Sequence, residues 1–315
     1  NTTVQYFGPF GVRDMETGAL KNDSIDYTPT NNQVTGVDEA DIIKTNGEYI
    51  YVLYNNELTI YRSYPLDDAS KIQTIKLSKE DEPRYYNQML LYNNKLVLFG
   101  ESGYFWRWYD YSEPTRDVDD GDKGDESGQS NAVDPFDPDA DIDDKIAPDI
   151  MMPYNITQKI DIYDVSDPST LKLLKSIEIE GSLAAARLVD GTLYLVTNKY
   201  NDMLVYSNED LDVDDVLPIR KIDGEPVDNR VDEITVSEPD SLNMMTITKF
   251  NLDTNKHQFE NFMGNVTHVY MTPDRLFAAS TNYQIFSNPK TTIYQFTINN
   301  QLELLSQGEV EGYLL

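Results

Sequence analysis

Asn46-Gly47-Glu48-Tyr49-Ile50-Tyr51-Val52-Leu53 is the stretch that decides the fold. A turn-forming pair leads into a run of aromatic and β-branched residues suited to a short, pleated strand. The unit returns as Asn93-Asn94-Lys95-Leu96-Val97-Leu98-Phe99, as Asp190-Gly191-Thr192-Leu193-Tyr194-Leu195-Val196 and as Pro273-Asp274-Arg275-Leu276-Phe277-Ala278-Ala279. Asn-Gly and Asp-Gly supply the positive φ angles of tight hairpins, so each unit reads as a hairpin turn running into its strand.

Taking Ile50, Val97, Tyr194 and Phe277 as equivalent, the separations are 47, 97 and 83 residues. Two segments read as insertions, 101–156 (56 residues) and 199–242 (44 residues). Without them the separations become 97 − 56 = 41 and 83 − 44 = 39. A period of about 40–47 residues with four strands per unit is the spacing of propeller blades.

Each unit completes in the same order. The pattern predicts strands over 42–45, 49–54, 57–62 and 72–77, then over 88–92, 95–99, 158–163 and 171–179. The third unit runs over 184–189, 192–197, 245–252 and, weakly, 257–262; the fourth runs over 266–271, 276–280, 292–298 and 302–310. No helical-period segment competes. The expected fold is therefore all-β: a β-propeller of four-stranded antiparallel blades, about four in this chain. A further blade is expected to begin at Gly312-Tyr313-Leu314-Leu315. The expected organisation is one incomplete propeller domain over 1–315, with an N-terminal extension over 1–36 and the two acidic insertions. A ring left open exposes unpaired strand edges, which favours association with a partner.

Composition narrows the function. Fifty-five acidic against 25 basic side chains give a formal charge of −30. Such a field repels nucleic acid and anionic membrane surfaces and attracts cations or basic partners. There is no cysteine, so disulfides, zinc-thiolate sites and thiol nucleophiles are excluded. No apolar run reaches the roughly 18 residues of a membrane span. The sequence opens at Asn1 without a Met or a signal-type apolar run, which reads as a mature or trimmed chain with any export signal removed.

The strongest local feature is acidic. From Asp110 to Asp149 there are 13 Asp and 2 Glu against 3 basic residues. Asp137, Asp139, Asp141 and Asp143 alternate, while Asp117 and Asp119 head a second cluster. Closely spaced carboxylates can supply the six to eight oxygens that Ca²⁺ takes, so calcium is the expected ion. The EF-hand pattern fails, since Ile142 stands where Gly is required, and a solvated acidic loop is the plain alternative. A second run, Asp210, Asp212, Asp214 and Asp215, lies in the other insertion. Asp38, Glu39 and Asp41 precede the first strand and can either order a turn or contact an ion or a basic partner.

Tyr104-Phe105-Trp106-Arg107-Trp108-Tyr109 holds both tryptophans of the chain. Trp106, Trp108 and Tyr109 can stack on sugar rings or anchor a protein contact, or fold back and bury themselves. Catalytic motifs are missing: the two histidines, His257 and His268, belong to no HExxH pattern, and there is no nucleophile elbow, P-loop or dinucleotide fingerprint.

The stretch from Asn31 to Gly47, Asn-Asn-Gln-Val-Thr-Gly-Val-Asp-Glu-Ala-Asp-Ile-Ile-Lys-Thr-Asn-Gly, resembles the opening signature of secreted bacterial and archaeal β-propeller-domain proteins, distantly similar to WD-repeat propellers. Asp161-Ile162-Tyr163-Asp164-Val165-Ser166-Asp167-Pro168, Ile179-Glu180-Gly181-Ser182-Leu183-Ala184-Ala185-Ala186-Arg187 and Gly308-Glu309-Val310-Glu311-Gly312-Tyr313-Leu314-Leu315 extend the resemblance over nearly the whole chain. It implies an extracellular or cell-surface propeller of which this chain is the N-terminal part. The expected function is non-enzymatic binding or scaffolding, loaded with Ca²⁺, with a protein or glycan partner. The rival expectation is a secreted glycoside hydrolase or carbohydrate-binding propeller using a carboxylate pair and the aromatic run.

Overall fold

The structure, a computed structural model, describes residues 34–79, 82–102, 156–201, 212–228, 234–236, 241–282, 289–299 and 301–314. In chain order the strands are β1 (Asp38–Glu39), β2 (Ile43–Thr45), β3 (Tyr49–Tyr54), β4 (Glu57–Arg62) and β5 (Ser70–Lys76). Next come β6 (Tyr85–Tyr92), β7 (Lys95–Ser102), β8 (Thr157–Asp164), β9 (Lys172–Glu180), β10 (Ser182–Val189) and β11 (Thr192–Lys199). A one-turn helix, α1 (Val213–Val216), precedes β12 (Arg220–Ile222), β13 (Glu225–Pro226) and β14 (Ile234–Val236). The chain closes with β15 (Met244–Asn251), β16 (His257–Met263), β17 (His268–Met271), β18 (Arg275–Asn282), β19 (Lys290–Thr297) and β20 (Glu303–Glu311).

These strands form four sheets, each built on a four-strand antiparallel meander. Blade 1 is β2-β3-β4-β5, blade 2 is β6-β7-β8-β9, blade 3 is β10-β11-β15-β16 and blade 4 is β17-β18-β19-β20. The predicted strands are all found, within a few residues at their ends. Two sheets are wider than expected. Blade 2 gains β12 and β13 beyond β9, and blade 3 gains β1 beyond β10 and β14 beyond β16. β14 is the one parallel addition, with Ile234 to Val236 beside Asn261 to Met263. The described part of the 199–242 segment thus continues the outer edges of blades 2 and 3. Only the Asp223-Gly224 turn announces it in the sequence, with φ of +54° and +86°.

Neighbouring blades pack face to face, and alternation assigns each face. In β7, Leu96 and Leu98 join Tyr51, Leu53, Leu58 and Ile60 of blade 1 in one cluster. Val97 and Phe99, pointing the other way, join Leu193, Leu195, Phe250 and Phe259 of blade 3. Blade 3 in turn presents Tyr194 and Val196 to Leu276, Ala278 and Phe296 of blade 4. Three seams therefore hold four blades, and blades 4 and 1 share no cluster among the described residues, so the arc is not closed.

The crossover from one blade to the next repeats a backbone device. Gly181 and Gly264, leading into blades 3 and 4, have φ of +120° and +125°, and Gly312, after blade 4, has +106°. At Gly181 a Cβ would also lie 2.7 Å from the Asn198 carbonyl oxygen, so only glycine fits.

Candidate functional site

The segment before the first full strand runs across the edges of all four blades. Val37 is buried in the seam between blades 3 and 4, with Val34 packed against it. Asp38 and Glu39, as β1, pair with Leu188 and Arg187 of β10. Ala40 packs on the seam between blades 2 and 3. Asp41 exchanges both backbone hydrogen bonds with Met89 of blade 2, at 3.0 and 2.8 Å, and Ile43–Thr45 then pair with β3 in blade 1. One short extended stretch thereby laces the arc together.

Two of its three acidic side chains pair with cations carried by the blades. Lys44, only 3% exposed, donates to Asp38 Oδ1 at 2.9 Å and to the Glu39 carbonyl at 2.6 Å. Glu39 lies 3.5 Å from Arg187. The Asp41 carboxylate accepts from the Ile42 N–H at 2.7 Å. Sequence reading singled out the three acids but missed Lys44 and Arg187. The clue was a lone lysine inside the apolar Ile42-Ile43-Lys44 run, which calls for a counter-charge once buried. The remaining residues singled out from the sequence, Trp106, Trp108, Tyr109, Asp117, Asp119, Asp137, Asp139, Asp141 and Asp143, lie outside the described residues.

In the second acidic run, the Asp212 carboxylate accepts from Val213 N–H at 2.5 Å, and the Asp215 carboxylate accepts from Asp212 N–H at 2.8 Å, capping α1. Lys199 donates to the Asp215 and Leu217 carbonyls and pairs with Glu180 at 3.1 Å. Among the described residues no group of three or more His, Asp or Glu side chains is placed to hold a metal ion.

A buried polar lock crosses blade 2. The Tyr86 hydroxyl donates to Asp161 Oδ2 at 2.9 Å and the Ser176 hydroxyl donates to Asp161 Oδ1 at 2.7 Å, tying β6, β8 and β9. Burial, reinforced by the Asp161 carboxylate, pushes the Tyr86 phenol far above its ordinary pKa, so it stays a donor. Ser176 donates to a carboxylate and has no imidazole base beside it, which is not an activated nucleophile. His257 stacks on Phe250, with ring centroids 6.4 Å apart, and His268 contacts Thr267 Oγ1 at 3.0 Å, on a different blade.

Exposed apolar side chains gather on blade 1, on the face turned away from blade 2. Tyr54, Ile43 and Tyr61 are 77%, 49% and 39% exposed. Register places them around Ile50 and Val52, with Lys71 opposite Tyr61 and Lys76 opposite Glu57. The result is an apolar strip with a lysine border on a molecule of strongly negative charge. No helix among the described residues is long and apolar enough to cross a membrane.

The profile of the beta propeller domain family matches residues 27–315. The chain belongs to that family. The blades, the Gly-marked crossovers and the laced N-terminal segment are this propeller's version of the fold. An uncharacterized protein of Methanocaldococcus jannaschii is similar to the propeller, 27% identical over 173 residues. That match takes in 55% of this chain and 17% of the relative, so the chain spans well under two thirds of the relative's length. No solved structure matches.

Proposed function

We propose that this propeller is a non-enzymatic binding and scaffolding module, acting outside the cell or at its surface, with the open face of blade 1 as its partner-contact surface. The observation that carries this reading is β3. Its Tyr-Ile-Tyr-Val-Leu-Tyr sequence is apolar on both faces, yet only the face holding Tyr51 and Leu53 is buried in a seam. Contiguous exposed apolar residues rimmed by polar ones are the usual mark of an interaction site, and the exposed tyrosines add amphipathic contact area. The lysine border suits a partner with acidic groups at its rim.

Calcium belongs to the same proposal, on the strength of the Asp-rich composition around Asp117, Asp119 and Asp137 to Asp143. Titration of chelator-treated protein with Ca²⁺ is expected to release heat and raise the melting temperature; neither change would remove calcium from the account. For the binding surface, the Ile43→Asp, Tyr61→Asp double variant is expected to fold normally and to lose any partner the native protein retains. Equal retention by both proteins places the contact elsewhere, and turnover on a panel of glycans overturns the non-enzymatic reading.

A further inference from the structure

The three seams are not alike. Those between blades 1 and 2 and between blades 3 and 4 are apolar clusters in which the buried polar side chains Asp161 and Asn198 have hydrogen-bond partners. The seam between blades 2 and 3 begins the same way but turns polar at one end. On the blade 3 side, register sets Thr197 opposite Thr246 and Thr246 opposite Asn261, with Thr248 opposite Leu195 and Phe259. All four polar residues are at most 1% exposed. Leu195 and Phe259, on the same face, pack against Phe99 and Ile179 of blade 2, so this polar row faces blade 2. On the blade 2 side the matching row is Glu101, Gln158, Ile179 and Arg220, again in direct register. The Arg220 guanidinium closes across the seam onto the Phe259 ring, 4.5 Å from its centroid.

Partners within the protein account for only part of this cluster. Thr246 donates to Asn261 Oδ1 at 2.8 Å, and Gln158 donates to the Gly100 carbonyl at 2.8 Å. Thr197 Oγ1, Thr248 Oγ1, Asn261 Nδ2 and Glu101 Oε1 are buried and have no hydrogen-bond partner among the described residues. Buried polar atoms are almost always satisfied, and several left bare would cancel much of a domain's narrow margin of stability.

The neighbouring seam supplies the control. Asn198 occupies in β11 the place that Glu101 occupies in β7. Asn198 accepts from the Val266 N–H at 3.0 Å and donates to the Val266 carbonyl at 2.8 Å, two residues beyond the crossover glycine. An ionised Glu101 has no donor with which to repeat that clasp, and one of its oxygens is left over. The leftover set mixes one donor, Asn261 Nδ2, with one acceptor, Glu101 Oε1, and two hydroxyls that can do either. A bare cation would meet the Asn261 amide hydrogens, and a bare anion would meet Glu101. Water alone donates and accepts as required.

We propose that the polar end of the seam between blades 2 and 3 is a binding site for a small cluster of ordered water molecules held by Glu101, Thr197, Thr248 and Asn261. The cluster joins the two central blades where side chains do not reach one another, and it hydrates one oxygen of the Glu101 carboxylate.

Two measurements test it. A high-resolution crystal structure is expected to show water within hydrogen-bonding distance of Glu101 Oε1 and of at least one of Thr197, Thr248 and Asn261; a dry seam overturns the proposal. Thr248→Val keeps the side-chain shape, so the variant folds. If Thr248 holds water, the replacement breaks a satisfied network and lowers the melting temperature. If Thr248 is simply bare, the replacement removes a penalty, and an unchanged or raised melting temperature overturns the proposal.

Discussion

β3 of blade 1 and β11 of blade 3 are close in composition and opposite in circumstance. Ile50-Tyr51-Val52-Leu53 and Leu193-Tyr194-Leu195-Val196 are both unbroken apolar runs. In β11 all four residues are buried, because blade 2 covers Leu193 and Leu195 while blade 4 covers Tyr194 and Val196. In β3 only Tyr51 and Leu53 are buried. Burial in a propeller is thus set by a blade's place in the arc as much as by its own residues. An apolar run on both faces signals a blade built to be covered twice.

The contrast can be broken or sharpened by substitution. Phe99, fully buried in the central seam, is expected to cost about 3–5 kcal/mol as Phe99→Ala, measured by denaturant unfolding, whereas Tyr61→Ala on the open face should stay within about 1 kcal/mol. Comparable losses would mean that blade 1 is covered after all. Gly181→Ala meets both a positive φ and a backbone oxygen 2.7 Å away, and a loss of about 2–3 kcal/mol is expected. Gly224→Ala, at φ +86° with nothing within 4 Å, should cost about 1 kcal/mol. Lys44→Met leaves Asp38 without its buried partner, and a loss of about 1–3 kcal/mol is expected; no loss would show that the lacing segment contributes little.

The smallest effect depends on pH. Burial raises the Glu101 carboxyl above its ordinary value of 4.5. A raised folded-state pKa gives a contribution that is present below the unfolded value and lost as pH rises through the folded value. Arg220 stands in the same register row as Glu101, and the Lys199–Glu180 pair joins blade 3 to blade 2. Glu101→Gln is therefore expected to raise the melting temperature modestly at pH 7 and to leave it unchanged well below pH 4.5. An equal shift at both pH values would place the effect in packing instead of charge.

Much of the fold was legible in the sequence because hairpin turns and two-residue alternation are local. Asn93, Asp190 and Gly191 adopt the positive φ angles their turns require, and the weak fourth strand of blade 3 appears as β16. What escaped was non-local and short. β1 is two residues long and pairs with a strand about 150 positions later, since Asp38 meets Leu188. Arg220-Lys221-Ile222 carries too little alternation to register as a strand, and only its pairing with Ile177–Ile179 defines it. The site was less legible still. Asp38, Glu39 and Asp41 were visible as acids, but their partners come from another strand or from backbone. The polar row in the central seam is hidden because Thr197, Thr246 and Thr248 are ordinary strand residues until a second sheet buries them.

The exposure of one face of blade 1 among the described residues is the feature on which the proposed contact surface rests. Its most direct test compares Ile43→Asp with Leu195→Asp by circular dichroism and thermal unfolding. Leu195, with no exposed surface, should not tolerate a carboxylate, and that variant should lose its cooperative transition. Ile43, about half exposed, should accept one with its β-sheet signal intact and its midpoint nearly unchanged. Collapse of the Ile43→Asp protein to the same degree as Leu195→Asp would contradict the account.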